Sequence, residues 1–319
     1  MKYAILTAAM MAAATPTLAE GWDMPTPYGD STFHTVNIMQ FADDVRAATD
    51  GGLDITVHSA GSLFPHSEIK NAVRSRQVPA GEFLLSQLNN ENAAFGLDSQ
   101  PFLATSYEDG MALWDAQRPV VTELLAEQGL MPLFAVPWPA QGLYTNGEIE
   151  TVGDLSGLRF RAYNAQLEEF AQLAGAAPVQ VEAPDIPQAF ATGQVDAMIT
   201  SPSTGANSTA WDFVSHYTPI NAWLPKNIIV VSQRAFDRLD TDVQTAVLEA
   251  AAIAETRGWE MSAAEAAEKT QVMADNGITV VEPSVELVNG LQTIGATMLQ
   301  SMTATASPEA LAILGAYTQ

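Results

Sequence analysis

Residues 241–274 read TDVQTAVLEAAAIAETRGWEMSAAEAAEKTQVMA. The run holds no proline, and Gly258 is its only glycine. Ala, Glu and Gln, all good helix formers, dominate it, so it predicts one long helix or two that abut. At 1.5 Å per residue a continuous helix here would reach about 50 Å, more than one ordinary domain is wide. Such a helix ties two bodies together, and two candidate bodies precede it. In residues 33–49, Val36, Met39, Phe41 and Val45 recur at helical spacing, and Asp50-Gly51-Gly52 closes the helix. Leu53-Asp54-Ile55-Thr56-Val57 then alternates as a half-buried strand. Residues 68–78 read as a second helix, 82–88 as a strand, 107–128 as a helix and 130–136 as a strand. This alternation predicts a layered α/β unit.

A second unit follows the break at Pro137-Trp138-Pro139. Asp154-Leu155-Ser156-Gly157 is a turn, and residues 158–162 form a strand. Residues 164–174 form a helix closed by Gly175, 178–181 a strand, 185–192 a helix closed by Gly193, and 195–199 a buried strand. The apolar strand KNIIVVS (226–232) leads to the long helix, 277–281 is a last strand, and the tail is helical.

Composition narrows the function. The chain has 319 residues and no cysteine, which excludes a disulfide scaffold, a thiol nucleophile and iron–sulfur sites. About 300 residues bury roughly three quarters of the unfolded surface, so no staple is needed. Thirteen Lys+Arg against 37 Asp+Glu give a net charge of −24. No basic stripe exists to neutralise nucleic-acid phosphates or grip an anionic membrane face. Residues 1–19, MKYAILTAAMMAAATPTLA, carry one lysine, a short apolar run and small residues at 17 and 19. That is the pattern of a cleavable export signal cut after Ala19. No other run is long and apolar enough to span a bilayer, so no stable membrane insertion is expected. With no lipobox cysteine, the mature chain is expected free in the periplasm, as a monomer.

Catalytic motifs are missing. His34, His58, His66 and His216 show no metal spacing, and no GxSxG, GxGxxG or Walker sequence occurs. No cofactor, metal or catalytic residue is expected. Cations are informative because they are few. Arg159 and Arg161 stand two apart on one predicted strand and so share a face. Arg161 is followed at once by the strand end and helix start at Ala162-Tyr163-Asn164, and α/β layers bind ligands beyond the carboxyl ends of their strands. A guanidinium there can hold a carboxylate bidentately. Trp138, Trp211 and Trp223 fall at predicted loops or strand ends and offer walls for a carbon skeleton. Lys226, one of four lysines, heads the KNIIVVS strand and joins the candidate ligand residues.

At this point the chain resembles the DctP-type solute-binding proteins of tripartite ATP-independent periplasmic (TRAP) transporters. Asp154-Leu155-Ser156-Gly157-Leu158-Arg159-Phe160-Arg161 is similar to that family's DLKGLKxR segment, Gly175-Ala176-Ala177-Pro178-Val179 to its GAxPV turn, and DIPQAFATGQVD (185–196) to its E-V-Y-x-A-L-Q-x-G-x-V-D stretch. The resemblance covers essentially the whole mature chain. It implies a two-lobed periplasmic-binding-protein fold, type II-like, with a long helix spanning both lobes. Lobe I is expected over 20–138 plus 228–267, and lobe II over 139–227 plus 268–319. It further implies that Arg161 pairs with a ligand carboxylate while Arg159 is peripheral, and that Thr200 or Ser201 replaces a family asparagine. Gln141 stands near the place of a second arginine found in sialic-acid binders, which speaks against such a ligand. Weaker contacts would fall at Phe33, His34, Glu68 and Gln87, the last within Ser86-Gln87-Leu88-Asn89. The expected activity is capture of a small organic acid, a monocarboxylate, and its delivery to an ion-gradient-driven membrane permease. A periplasmic enzyme acting on an acidic substrate, or the binding component of an ATP-driven importer, stand as alternatives.

Overall fold

The computed structural model describes residues 20–318; the predicted export signal, 1–19, lies outside the described residues. The chain starts with β1 (Glu20–Pro25), α1 (Phe33–Ala48), β2 (Leu53–His58), α2 (His66–Arg74), β3 (Ala80–Leu84), α3 (Tyr107–Ala126) and β4 (Leu130–Pro137). It crosses to β5 (Gly142–Thr145), β6 (Arg159–Ala162), α4 (Ala165–Leu173), β7 (Ala177–Gln180), α5 (Ile186–Ala191), β8 (Ala197–Thr200), α6 (Pro202–Asn207) and β9 (His216–Thr218). It returns as β10 (Lys226–Ser232), α7 (Gln233–Phe236) and α8 (Thr241–Asp275), and ends with β11 (Thr279–Val280), α9 (Val285–Thr305) and α10 (Pro308–Tyr317).

The strands sort into two bodies. In the first, β1 and β2 pair in parallel, and β10 lies antiparallel between β3 and β4. All seven residues of β10 are buried, which explains why KNIIVVS reads as an apolar run and not as an alternation. In the second, six strands run in the order β11-β9-β5-β8-β6-β7, with β6 parallel to both β7 and β8. The fold is therefore mixed α/β and two-lobed.

The stretch 241–274 is one unbroken helix, α8, of 35 residues. Its first half buries Ala246, Val247, Ala250, Ala251 and Ala254. Asn37 on α1 donates to the Ala254 carbonyl at 2.9 Å. At Gly258 a methyl group would lie 2.4 Å from a Val136 methyl, so glycine is what lets α8 sit down on β4. Its second half serves the other body. Met273 is fully buried with Tyr144 and Tyr217, and its sulfur lies close to Gly205 of α6.

Two sequence expectations need correction. The helix expected over 68–78 is α2, ending at Arg74, because Arg76 adopts φ +65° and turns the chain. The strand expected over 82–88 runs from Ala80 to Leu84 and then tightens into a 3₁₀ turn over Leu85–Leu88. Its partner β10 begins at Lys226, and the last pair is Leu84 with Asn227. Beyond Leu84 no ladder exists to join. Strands β1, β5 and β9 were not anticipated. The last two span only 4 and 3 residues, too few for an alternation to register.

Candidate functional site

The site grows from the carboxyl ends of β4, β6, β7 and β8. Strand β6 shows why two nearby arginines differ. Arg159, at its open start, is exposed and pairs with Asp196, Nε donating at 2.7 Å. Arg161, two residues on, is only 3% exposed. Its Nε donates to the Val181 carbonyl at 3.0 Å, and its guanidinium carbon lies 5.0 Å from the centroid of the Tyr163 ring. Among the described residues no carboxylate forms an ion pair with it, and its terminal nitrogens make no hydrogen bond. Burial pulls its pKa down to about 10, opposed by Tyr163, Glu182 and Tyr28, so it stays charged at neutral pH. A buried charge without a partner is costly, and an incoming anion relieves that cost.

Arg161 faces a cavity with about 410 Å³ of empty space between the lobes. The first lobe contributes Tyr28, His66, Leu84 and Trp138; the second contributes Gln141, Tyr163, Glu182, Thr200, Ser201 and Thr204. Thus Arg161, Thr200, Ser201, Trp138 and Gln141, all picked out in the sequence, meet in one place. Their hydrogen bonding differs. Ser201 caps α6, its hydroxyl accepting from the Thr204 amide at 3.0 Å. Gln141 donates to the Pro139 carbonyl at 2.8 Å and accepts from the Tyr163 hydroxyl at 3.3 Å. The Thr200 hydroxyl makes no hydrogen bond among the described residues and remains available.

Two further groups complete the cavity. His66 Nε2 accepts from the Leu84 amide at 3.0 Å, which leaves Nδ1 to carry the proton toward Glu182 Oε2, 3.4 Å away. Burial alone would raise the Glu182 carboxyl; the hydrogen bond from His66 and the Arg161 charge outweigh it and hold it below its usual value. The His66–Glu182 contact spans the cleft. So do Asn164 to Ser86 at 2.9 Å, Gln166 to the Gly96 carbonyl at 2.6 Å and Asn207 to Thr32 at 3.5 Å. The lobes are closed on each other.

The other candidates lie outside this cavity. Phe33 and His34 are buried behind Trp138, with ring centroids 5.5 and 4.3 Å from it. Trp223 is fully buried behind Tyr163, to whose hydroxyl it donates at 2.9 Å. Trp211 packs half-buried in the apolar cluster around Ile186 and Phe190. Glu68 is exposed on α2. Gln87 lines an adjoining space with Ser86 and Asn164. Lys226 is fully buried; its amide donates to Asp98 at 2.7 Å, and its Nζ has no hydrogen-bond partner among the described residues. These placements follow from the pleat and from packing order, which local sequence does not encode.

Tyr28, His66, Tyr163, Glu182 and Thr204 were missed as site residues. Two were within reach of the rule that selected Arg161. Tyr163 is the first residue past β6, and Glu182 the second past β7. Tyr28 and His66 arrive from segments far away in the chain, with no local signal. Among the described residues, no group of His, Asp and Glu could hold a metal ion, and no helix is long and apolar enough to cross a membrane.

Residues 27–305 match the family model of bacterial extracellular solute-binding protein, family 7, the DctP family. The chain is similar to DctP7, a Bordetella pertussis extracytoplasmic solute receptor binding pyroglutamic acid, at 42% identity and a TM-score of 0.93, with 94% of this chain and 100% of that chain covered. It is similar to DctP6 of the same organism, also binding pyroglutamic acid, at 39% identity and a TM-score of 0.92, covering 93% and 99%. A marine-metagenome TRAP solute-binding protein specific for pyroglutamate matches at 39% identity and a TM-score of 0.91, covering 94% and 99%.

Proposed function

The chain belongs to family 7 of the bacterial extracellular solute-binding proteins, and from that premise we propose that its ligand is pyroglutamate or a closely related lactam carboxylate. It is a periplasmic solute-binding protein of the TRAP type, not an enzyme, and it captures a small organic acid between its lobes. The observation that carries the ligand proposal is Arg161: a buried, charged guanidinium with no carboxylate partner among the described residues, facing the cavity. Arg161 takes the carboxylate as a fork, and the Thr200 hydroxyl donates to the same oxygens. Glu182, held ionised, accepts from the lactam N–H. Trp138 and Tyr28 cover the ring. The 39–42% identical receptors that bind pyroglutamate support this reading.

Binding favours the closed state because only there do both lobes touch the ligand. The chain is exported as a precursor cut after Ala19, works as a monomer and hands its ligand to the permease. The test is calorimetry and thermal unfolding with L-pyroglutamate, with the lactone analogue (ring oxygen in place of N–H), and with proline. Pyroglutamate at 100 times its Kd should add about 2.7 kcal/mol of stability. The lactone should bind at least tenfold more weakly. No stabilisation by millimolar pyroglutamate overturns the ligand; equal binding of lactone and lactam overturns the role of Glu182.

A further inference from the structure

Behind the aromatic wall of the cavity runs a polar chain whose inner members, Asn227, Glu82 and Thr26, are not part of the cavity lining. The Tyr28 hydroxyl donates to Asn227 Oδ1 at 3.3 Å, and the Trp138 indole N–H donates to the same oxygen at 3.0 Å. The other end of that amide, Nδ2, donates to Glu82 Oε1 at 2.8 Å. The second Glu82 oxygen accepts from the Thr26 hydroxyl, and His34 Nδ1 lies 3.5 Å from the first. Glu82 and Asn227 are both completely buried. They stand on one face of the β3–β10 ladder, where Asn227 pairs with Leu84 and Ile229 with Glu82.

An amide has one accepting end and one donating end, and its direction is set by its partners. An indole N–H can only donate, so Trp138 requires Oδ1 to face the cavity wall. That orientation leaves Nδ2 pointing inward, and Glu82 is its acceptor. A carboxylate in an apolar core without a Lys or Arg partner costs more than a hydrocarbon of the same volume, so packing does not explain it. We propose that Glu82 is a positioning residue for ligand capture: through Asn227 it orients Trp138 and Tyr28 as the wall against which the ligand ring rests. The proposal rests on the cavity being the ligand site.

Glu82→Met removes the acceptor at nearly constant volume. Glu82→Gln restores it, since its carbonyl can take the Asn227 amide while its NH₂ donates to Thr26. Two readouts separate positioning from bulk stability. One is the Kd for pyroglutamate. The other is the Trp138 indole N–H resonance in the ligand-free protein, assigned by its loss in Trp138→Phe. Glu82→Met should raise Kd at least tenfold and displace the Trp138 resonance, and Glu82→Gln should recover both toward wild type. If Glu82→Met does not fold, Asn227→Leu should give the same two changes. A folded Glu82→Met or Asn227→Leu protein with Kd within threefold of wild type and an unmoved resonance overturns the proposal. The resonance needs no ligand, so a failure of pyroglutamate to bind wild type leaves this arm decisive.

Discussion

At the scale of single residues, β6 shows how two positions on one strand acquire opposite fates. Arg159 meets Asp196 at the exposed start of the strand; Arg161 meets a cavity at its end. In the sequence, the scarcity of cations and a place at a strand end before a helix marked Arg161 as a candidate, while its pairing with a carboxylate and the peripheral place of Arg159 came from the resemblance to the DLKGLKxR segment. Arg161→Ala should leave a buried ligand carboxylate without its cation, costing about 3–5 kcal/mol, or roughly two to four decades of Kd. Arg161→Lys should lose at least tenfold, because a point charge does not reproduce the fork. Calorimetry checks both, and a Kd within threefold of wild type for the alanine variant removes Arg161 from the site. Burial also raises two carboxyls, Glu82 to about 7 and Asp98 to about 6. Each binds its proton more tightly folded than unfolded. Their contribution to stability is therefore complete below about pH 4 and is lost as pH rises through 6 to 7. Urea unfolding at pH 5 and pH 7.5 should show Glu82→Gln gaining on wild type as pH rises. A difference that stays constant between the two values means that the Glu82 pKa is not raised.

At the scale of elements, length decided legibility. The α8 stretch carries 35 residues of consistent helix-forming composition, legible as one long helix or two that abut, and the structure makes it one. Strands β5 and β9, at 4 and 3 residues, exist because neighbouring strands recruit them. The composition of α8 does not reveal where it is pressed closest. Gly258 does, once Val136 is seen against it. Alanine is intrinsically better than glycine inside a helix by about 1 kcal/mol, yet a methyl forced into packed side chains costs about 1–3 kcal/mol. Gly258→Ala should therefore be destabilised in chemical denaturation despite its better propensity. A variant more stable than wild type would mean that α8 does not sit tightly on β4.

At the scale of the whole molecule, a strongly acidic protein captures an anion. Its net charge of −24 opposes the approach of a carboxylate, while in the proposed binding mode one buried guanidinium holds it after arrival. Salt screens the long-range field and hardly touches the buried pair. The association rate of pyroglutamate should thus rise between 10 and 150 mM NaCl, and the dissociation rate should change little. Stopped-flow tryptophan fluorescence measures both; a falling association rate would show that local cations outweigh the global charge.

From sequence alone came the α/β class, the two units, the long helix that joins them and the arginine at the end of β6. These are written in local periodicity, in glycine and proline punctuation, and in strand-to-helix boundaries. The tertiary structure alone decided which tryptophan reaches the cavity: Trp138 does, while Trp223 supports Tyr163 from behind. It alone brought Tyr28 and His66 across to Arg161 and Glu182. The physical reason is that a cleft wall is made of contacts between segments far apart in the chain. Which side chain faces the ligand depends on how two separately folded lobes meet, and no short window of residues contains that information.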